Sequence, residues 1–314
     1  NTKIIMSRPT IQTTLLGRLG NQLFTYSATR VMALESGCQL VLTGDALERF
    51  HAKNRLGCFH LPDDVLFKED KSFNCRQKIG YFMYLCLCRH KNICQIADIE
   101  SKYQKLFHRF GLILNQEGYL KPMPLSKGSW YALGYFQSDK YFAKHEELIR
   151  KELTFRTELF SLDAVSLGLE IHSNPKSVCL HIRRGDYLND PTFFVCDNIY
   201  YFRALKQMQE LIPDATYYVF SDNIDGVRNL FSKYENLTFH YIDSKYTDQE
   251  SLYLGSCGRN FIMTNSTFSW WMQYLSDNKN KVVLAPSRWY NTNNPCDIYQ
   301  DNWMLVDTRI QRDV

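Results

Sequence analysis

The second half of the chain carries the strongest constraint on the fold. From about residue 176 short apolar runs alternate with amphipathic stretches. The order is "SVCLHI", "NIYYFRALKQMQELI", "TYYVFS", "DGVRNLF", "TFHYID", "DQESLYLGS", "NFIMTN", "STFSWWMQYL" and "KVVLAP". The short runs are rich in β-branched and aromatic residues and read as strands; the longer stretches have helical periodicity. Strand and helix in regular alternation imply a parallel sheet covered by helices on both faces, because parallel strands need a crossover between them. In such sheets ligands sit outside the carboxyl ends of the strands. One end carries "HIRRGDY", with His181, Arg183, Arg184 and Asp186. A second carries Ser221 and Asp222, and a third Asn265, Ser266 and Thr267.

The first half is less regular. "IQTTLLGRLGNQLFTYSATRVMALESG" reads as strand, glycine turn and amphipathic helix closed by Gly37, and "QLVLT" follows as a strand. "GSWYALGYFQS" reads as a further strand and "AKHEELIRKEL" as a helix, while residues 45–127 give no clear order. A chain of 314 residues exceeds what one core usually fills, so two domains are expected, 1–160 and 161–314, with the boundary inside 155–175.

Charged residues make up 22% and apolar residues 45%, which excludes a disordered chain. Lys and Arg exceed Asp and Glu only by 37 to 33, too small an excess for a nucleic-acid surface yet compatible with one local anionic site. Ten cysteines without a C-x-x-C pair read as reduced core thiols of a cytosolic protein. No secretory leader stands at the start, no apolar run approaches the ~18 residues that span a bilayer, and a removed leader or anchor stays open because the chain begins at Asn1. "IGYFMYLCLC" at 79–88 reads most simply as a buried helix; the sharper reading is an interfacial helix flanked by Arg89, His90 and Lys91. Asn236 and Asn265 match glycosylation acceptors, and both matches are taken as chance.

An arginine pair beside helix N-termini is what a diphosphate needs, since guanidinium donates bidentate hydrogen bonds and free N–H groups add partial positive charge. The alternative is that Arg183 and Arg184 pair with Asp186 and other acids. Neighbouring strand residues point to opposite faces, so Arg183 is taken as the ligand-facing member, with Arg184 and Asp186 holding local geometry. "GRLGNQ" has Gly17 and Gly20 but lacks a third glycine of the dinucleotide fingerprint, and no acid closes "QLVLT". It is either a plain turn with Asn21 as N-cap or a close backbone approach to a ligand. Asn265, Ser266 and Thr267 cap a helix or hold a phosphate, and Trp270 with Trp271 belongs to the core. No D-x-D triplet and no compact histidine and carboxylate cluster suggests a metal. Asp186, Asp190 and Glu250 are the candidates for a general base, with Asp186 ranked as structural.

Taken together, "GRLGNQLFTYS", "HIRRGDY", "CDNIYYFRAL", "YYVFSDN" and "NSTFSWWMQYL" resemble, in this order, the α-1,2-fucosyltransferases of glycosyltransferase family 11, from about residue 11 to 305. H-x-R-R-G-D-Y is the most specific part, and the ending "APSRWYNTNNPCDIYQDNW" resembles soluble bacterial members. The resemblance implies an α/β, GT-B-like architecture of two Rossmann-like domains with a cleft between them. GDP-β-L-fucose would be held by the second domain and a galactoside acceptor on the side of the first. Transfer would go to the galactose 2-OH with inversion and without metal or other cofactor. Arg183 would bind the β-phosphate and stabilise departing GDP. His181 and Asp222 would lie near the nucleoside, with Ser221 beside them and Asp222 on guanine, and Ser266 and Thr267 near the phosphates. Gly20, Asn21 and Gln22 would line the cleft. Asn223 departs from the second acid often found in relatives, and Met272 from a small residue.

The arginine motif is also similar to that of α-1,6 and protein O-fucosyltransferases, but "GRLGNQLF" and "NSTFSWW" favour the α-1,2 group. A sugar-nucleotide-binding module without turnover is the non-enzymatic reading. The expected location is the cytoplasm or the inner face of a bacterial membrane, with peripheral association, or the Golgi lumen if a eukaryotic anchor has been removed.

Overall fold

The computed structural model describes residues 8–47 and 53–308. The chain divides into two compact units, residues 1–154 with 294–298 and residues 155–293 with 299–314.

In the first unit the elements are β1 (Thr10–Thr14), α1 (Leu19–Ser36), β2 (Gln39–Thr43), β3 (Leu66–Lys68), α2 (Cys75–Cys88), α3 (Ile93–Lys102), α4 (Gln104–Arg109), β4 (Leu112–Asn115), β5 (Ser129–Gly134) and α5 (Glu146–Glu152). The five strands pair in parallel in the order β3-β2-β1-β5-β4. Gly37 ends α1 in the left-handed region at φ 66°, where its N–H reaches the Ala33 and Leu34 carbonyls, as the sequence predicted. Asn74 and Asn92 open α2 and α3 with capping boxes completed by Gln77 and Gln95. These two Asn-x-x-Gln signals were present in residues 45–127 and mark helix starts there.

The buried reading of α2 needs correction. Gln77, Gly80 and Tyr84 are buried, but Ile79, Phe82 and Leu85 face out, because the segment is apolar on both sides of the helix and only one side can pack. The core-thiol reading is corrected in part as well. All ten cysteines are free, but only Cys38, Cys58, Cys179 and Cys196 are buried, and Cys75 and Cys86 are exposed. Among the described residues no helix is long and apolar enough to cross a membrane.

The second unit holds α6 (Leu162–Ser173), β6 (Ser177–Ile182), α7 (Asn198–Leu211), β7 (Thr216–Ser221), α8 (Ile224–Arg228), β8 (Thr238–Tyr241), α9 (Asp248–Ser256), β9 (Asn260–Ile262), α10 (Thr267–Leu275), β10 (Val283–Pro286) and β11 (Met304–Val306). All strand pairs are parallel, in the order β11-β10-β9-β6-β7-β8. Numbered from β6 this is the doubly wound order 3-2-1-4-5-6, and the order reverses between β6 and β9. All six residues of β6 are buried; Val178, Leu180 and Ile182 pack on Tyr200, Tyr201, Leu205 and Met208 of α7. Trp270 and Trp271 are fully buried, which is their core role. Helix α6, which the sequence left as boundary, starts at Ser161, whose hydroxyl accepts from the Ala164 N–H.

Candidate functional site

Strand β6 ends at Ile182, so the two arginines lie beyond it and the alternation of strand faces no longer separates them. Gly185 lets the loop turn back tightly: a Cβ there would lie 2.3 Å from Asp222 Oδ2. The Asp222 carboxylate, at the end of β7, therefore sits directly beneath the loop. Its Oδ1 accepts from the Arg184 backbone N–H at 2.8 Å, and its Oδ2 lies 3.2 Å from Arg183 NH1. Arg183 Nε and NH2 donate to Asp186 Oδ1 at 3.1 and 2.7 Å. The guanidinium thus stands between two carboxylates, its side chain only 14% exposed, and lies 5.3 Å from the centre of the Tyr187 ring. Arg184 is directed elsewhere: its NH2 donates to Asn198 Oδ1 and its guanidinium lies over the Tyr201 ring.

Two hydrogen bonds cross the reversal of sheet order, one from this loop to the segment after β9 and one from β6 to α10. Tyr187 Oη donates to the Asn265 carbonyl at 3.4 Å, and His181 Nδ1 is paired with the Ser269 hydroxyl. Burial, reinforced by the Arg183 charge, pushes the His181 pKa down to about 3, so the imidazole is neutral at physiological pH. Ser266 is the N-cap of α10, its hydroxyl accepting from the Phe268 N–H, and Thr267 is the first helical residue. Asn265 is 1% exposed; its amide donates to the Phe193 and Trp289 carbonyls, which makes it a tie between loops. The Ser221 hydroxyl accepts from the Asn223 N–H. His181, Arg183, Arg184, Asp186, Ser221, Asp222, Asn265, Ser266 and Thr267 are therefore all at the carboxyl edge of one sheet. Sequence reasoning passed over Gly185, Tyr187, Asn198 and Ser269. Ser269 had a readable signal, since it follows the capping residue Ser266 by three positions at the start of a helix.

Gly20, Asn21 and Gln22 belong to the first unit. The N-cap of α1 is Arg18, without a side-chain cap, so the expectation that Asn21 caps the helix is corrected: Gly17 turns the chain at φ 62° and the helix starts three residues earlier. Asn21 Oδ1 instead accepts from Gln137 Nε2 at 3.1 Å, a bond between the first turn of α1 and the segment that follows β5, the strand paired with β1. Gln22 is fully buried and holds the turn together: its amide donates to the Gly17 and Lys53 carbonyls and accepts from the Arg55 N–H. Gly20 is buried in the first turn of α1. A cavity of about 330 Å³ in this unit is lined by Met32, His108, Ile113, Asn115, Phe136 and Tyr141 among others, and none of the expected site residues borders it.

The remaining carboxylates expected as bases have structural partners. Asp190 Oδ1 accepts from the Thr192 N–H and shapes the loop after the arginines. Glu250 is 7% exposed and completes a capping box with Thr247, while Oε1 accepts from the Ser161 N–H at 2.8 Å. Burial alone would raise its pKa, but the Ser161 and Thr247 N–H groups outweigh it and hold the carboxyl at about 2, against its ordinary 4.5. A depressed carboxylate pKa adds stability that is complete above about pH 4.5 and is lost as pH falls toward 2. Glu250→Ala is expected to cost on the order of 2 kcal/mol at neutral pH. Urea midpoints measured from pH 7 down to pH 2 should show the variant losing less stability with acid than the parent; parallel curves would reject this role. Among the described residues no group of three or more His, Cys, Asp or Glu side chains is placed to hold a metal ion.

The family model described as glycosyl transferase family 11 matches residues 98–307. An alpha-1,2-colitosyltransferase of Escherichia coli is 28% identical over 93% of this chain and 97% of its own. The O-antigen biosynthesis glycosyltransferase WbnK of Escherichia coli is 25% identical over 92% and 98%. A galactoside 2-alpha-L-fucosyltransferase of Caenorhabditis elegans is 31% identical over 47% and 43%. Among solved structures, NodZ α-1,6-fucosyltransferase soaked with GDP-fucose matches 85% of this chain and 92% of its own at a TM-score of 0.53 and 14% identity. NodZ from Bradyrhizobium, as the Se-Met protein, gives 0.51 over 85% and 91% at 12% identity. At such identity these likenesses speak for the fold, which is GT-B-like.

Proposed function

Because the chain belongs to glycosyl transferase family 11, we propose that it moves L-fucose from GDP-β-L-fucose to the 2-OH of a terminal β-galactoside with inversion, giving Fucα1-2Gal, without a resident metal. One observation carries this reading: Arg183, at the reversal of sheet order, is fixed between Asp186 and Asp222 at the carboxyl edge that also bears the start of α10. Ligands of doubly wound sheets bind at that place, and an oriented guanidinium beside a helix N-terminus is a match for a diphosphate.

Negative charge grows on GDP as the glycosidic bond breaks, and a cation fixed in advance stabilises that charge more than it stabilises bound donor. In this reading Arg183 is the catalytic group on the β-phosphate, and the Ser266 and Thr267 end of α10 adds its N–H groups. Asp186 and Asp222 act through Arg183 as positioning residues. Neutral His181 adds no charge of its own and donates or accepts a hydrogen bond near the nucleoside. The acceptor is expected on the first unit, where Gln137 holds Asn21 at the start of α1.

The test is GDP release from GDP-fucose with lactose, with and without EDTA, followed by linkage analysis of the product. Release that resists EDTA and a Fucα1-2Gal product are expected. A different linkage would move the reading to an α-1,6 or protein O-type transferase, and saturable donor binding without release under any acceptor would reduce it to a binding module. A second donor belongs in the same assay. The similarity to an alpha-1,2-colitosyltransferase favours GDP-colitose, which lacks the fucose 3-OH, as the alternative sugar.

A further inference from the structure

Helix α2 is anchored from within: Gly80 and Tyr84 are buried, and Tyr84 Oη donates to Glu100 at 2.7 Å. Its outer side consists of Ile79, Phe82 and Leu85, which are 57%, 67% and 48% exposed, with exposed Cys86 between them. Spacings of three and four residues place these on one stripe of the helix. Single exposed apolar side chains need no explanation, but a continuous stripe on one helix marks an interaction surface.

The charge around the stripe has one sign. Between Asp70 and Asp98 the sequence contains no acidic residue, whereas Arg76 and Lys78 precede the stripe and Arg89, His90 and Lys91 follow it. All five side chains are exposed, and no ion pair engages them among the described residues. An apolar face with an aromatic residue at its centre, edged by cations and free of acids, is complementary to the headgroup region of an anionic bilayer. A second copy packed face to face on this stripe would bring the same cations against each other.

We propose that α2 is a membrane-surface helix that seats Ile79, Phe82 and Leu85 at the headgroup boundary of an anionic lipid bilayer, with Lys78, Arg89 and Lys91 on the lipid charges. The proposal is independent of the transferase reading, because its readout is lipid binding.

The test is cosedimentation of the full chain with vesicles of phosphatidylcholine alone and of phosphatidylcholine with about a third phosphatidylglycerol. Binding to the anionic vesicles only, weakened by added salt, is expected. The double variant Ile79→Glu, Phe82→Glu should bind at least about tenfold more weakly. Lys78→Gln and Arg89→Gln should each lose about fivefold, the loss of one cation at such a surface. Unchanged urea midpoints and GDP release would show these exposed substitutions to be local, and the charge variants test the idea should the double variant not fold. Absence of binding to anionic vesicles, or a double variant that binds like the parent, overturns the proposal. A concentration-dependent dimer that Phe82→Glu abolishes, without vesicle binding, also overturns it, in favour of a second copy.

Discussion

Arg183→Ala is expected to fold normally and to turn over roughly 10²- to 10³-fold more slowly, the loss of about 2.7 to 4 kcal/mol that follows removal of one preorganised donor from a developing anion. The fold should survive because the guanidinium lies on a loop beyond the buried strand β6. The carboxylates it would leave behind also keep other contacts: Asp186 is 59% exposed, and Asp222 still accepts from the Arg184 N–H. Arg183→Lys should recover little. An ammonium cannot reach Asp186 through two donors and Asp222 through a third while offering a planar face to Tyr187. Steady-state GDP release, read beside a thermal melt of each variant, checks both statements. A folded Arg183→Ala protein with near-parental turnover would remove Arg183 from the reaction.

The largest effect on stability is expected far from this edge. Arg30, on α1, is 5% exposed and donates through Nε and NH2 to Glu152 at 3.0 and 2.8 Å, and through NH1 to Asp64 at 3.2 Å. Tyr26, one helical turn earlier, donates to Glu152 Oε2 at 2.5 Å. Burial and the neighbouring carboxylate push the phenol pKa far up, so the hydroxyl keeps its proton and remains a donor. Arg30→Met would leave a carboxylate that is 6% exposed without its cation, at a cost of about 3 to 5 kcal/mol. Adding Glu152→Leu should return much of that loss, because removing both charges also removes the desolvation cost. Urea unfolding of the single and double variants decides the matter. A single variant within about 1 kcal/mol of the parent would show that the pair contributes little.

The second unit was legible because its strands are short, apolar and separated by helices of clear period; only α6 and the three-residue β11 were missed. Exposed Leu162 and Leu169 hid the amphipathic pattern of α6, and a three-residue strand has too few positions to show alternation. The cation at the end of β6 could be seen as sequence, since so much charge rarely follows a buried run. Its partner could not: Asp222 meets the arginine loop from 38 positions away, through a strand order that no periodicity encodes. Asn21 was read as a cap because it follows a glycine turn, yet Gly17 already reverses the chain and its missing Cβ leaves room for the Asn21 amide. The partners of Gln22, Lys53 and Arg55, could not be read, because they lie in a stretch the sequence left unordered. In residues 45–127 helix α2 is apolar on more than one side, so contrast between faces, the main signal, is weak there.

The carboxylates that flank Arg183 also bear on how a product departs. Arg183 and Arg184 are matched in number by Asp186 and Asp222, so the loop is charge-balanced by its own residues. In the proposed reading a diphosphate would enter by exchange, taking over guanidinium bonds that the acids already hold, and each bond it gave up on leaving would have a waiting replacement. Such an arrangement would trade tightness of grip for ease of release, and a spent nucleotide would leave without stranding a bare cation.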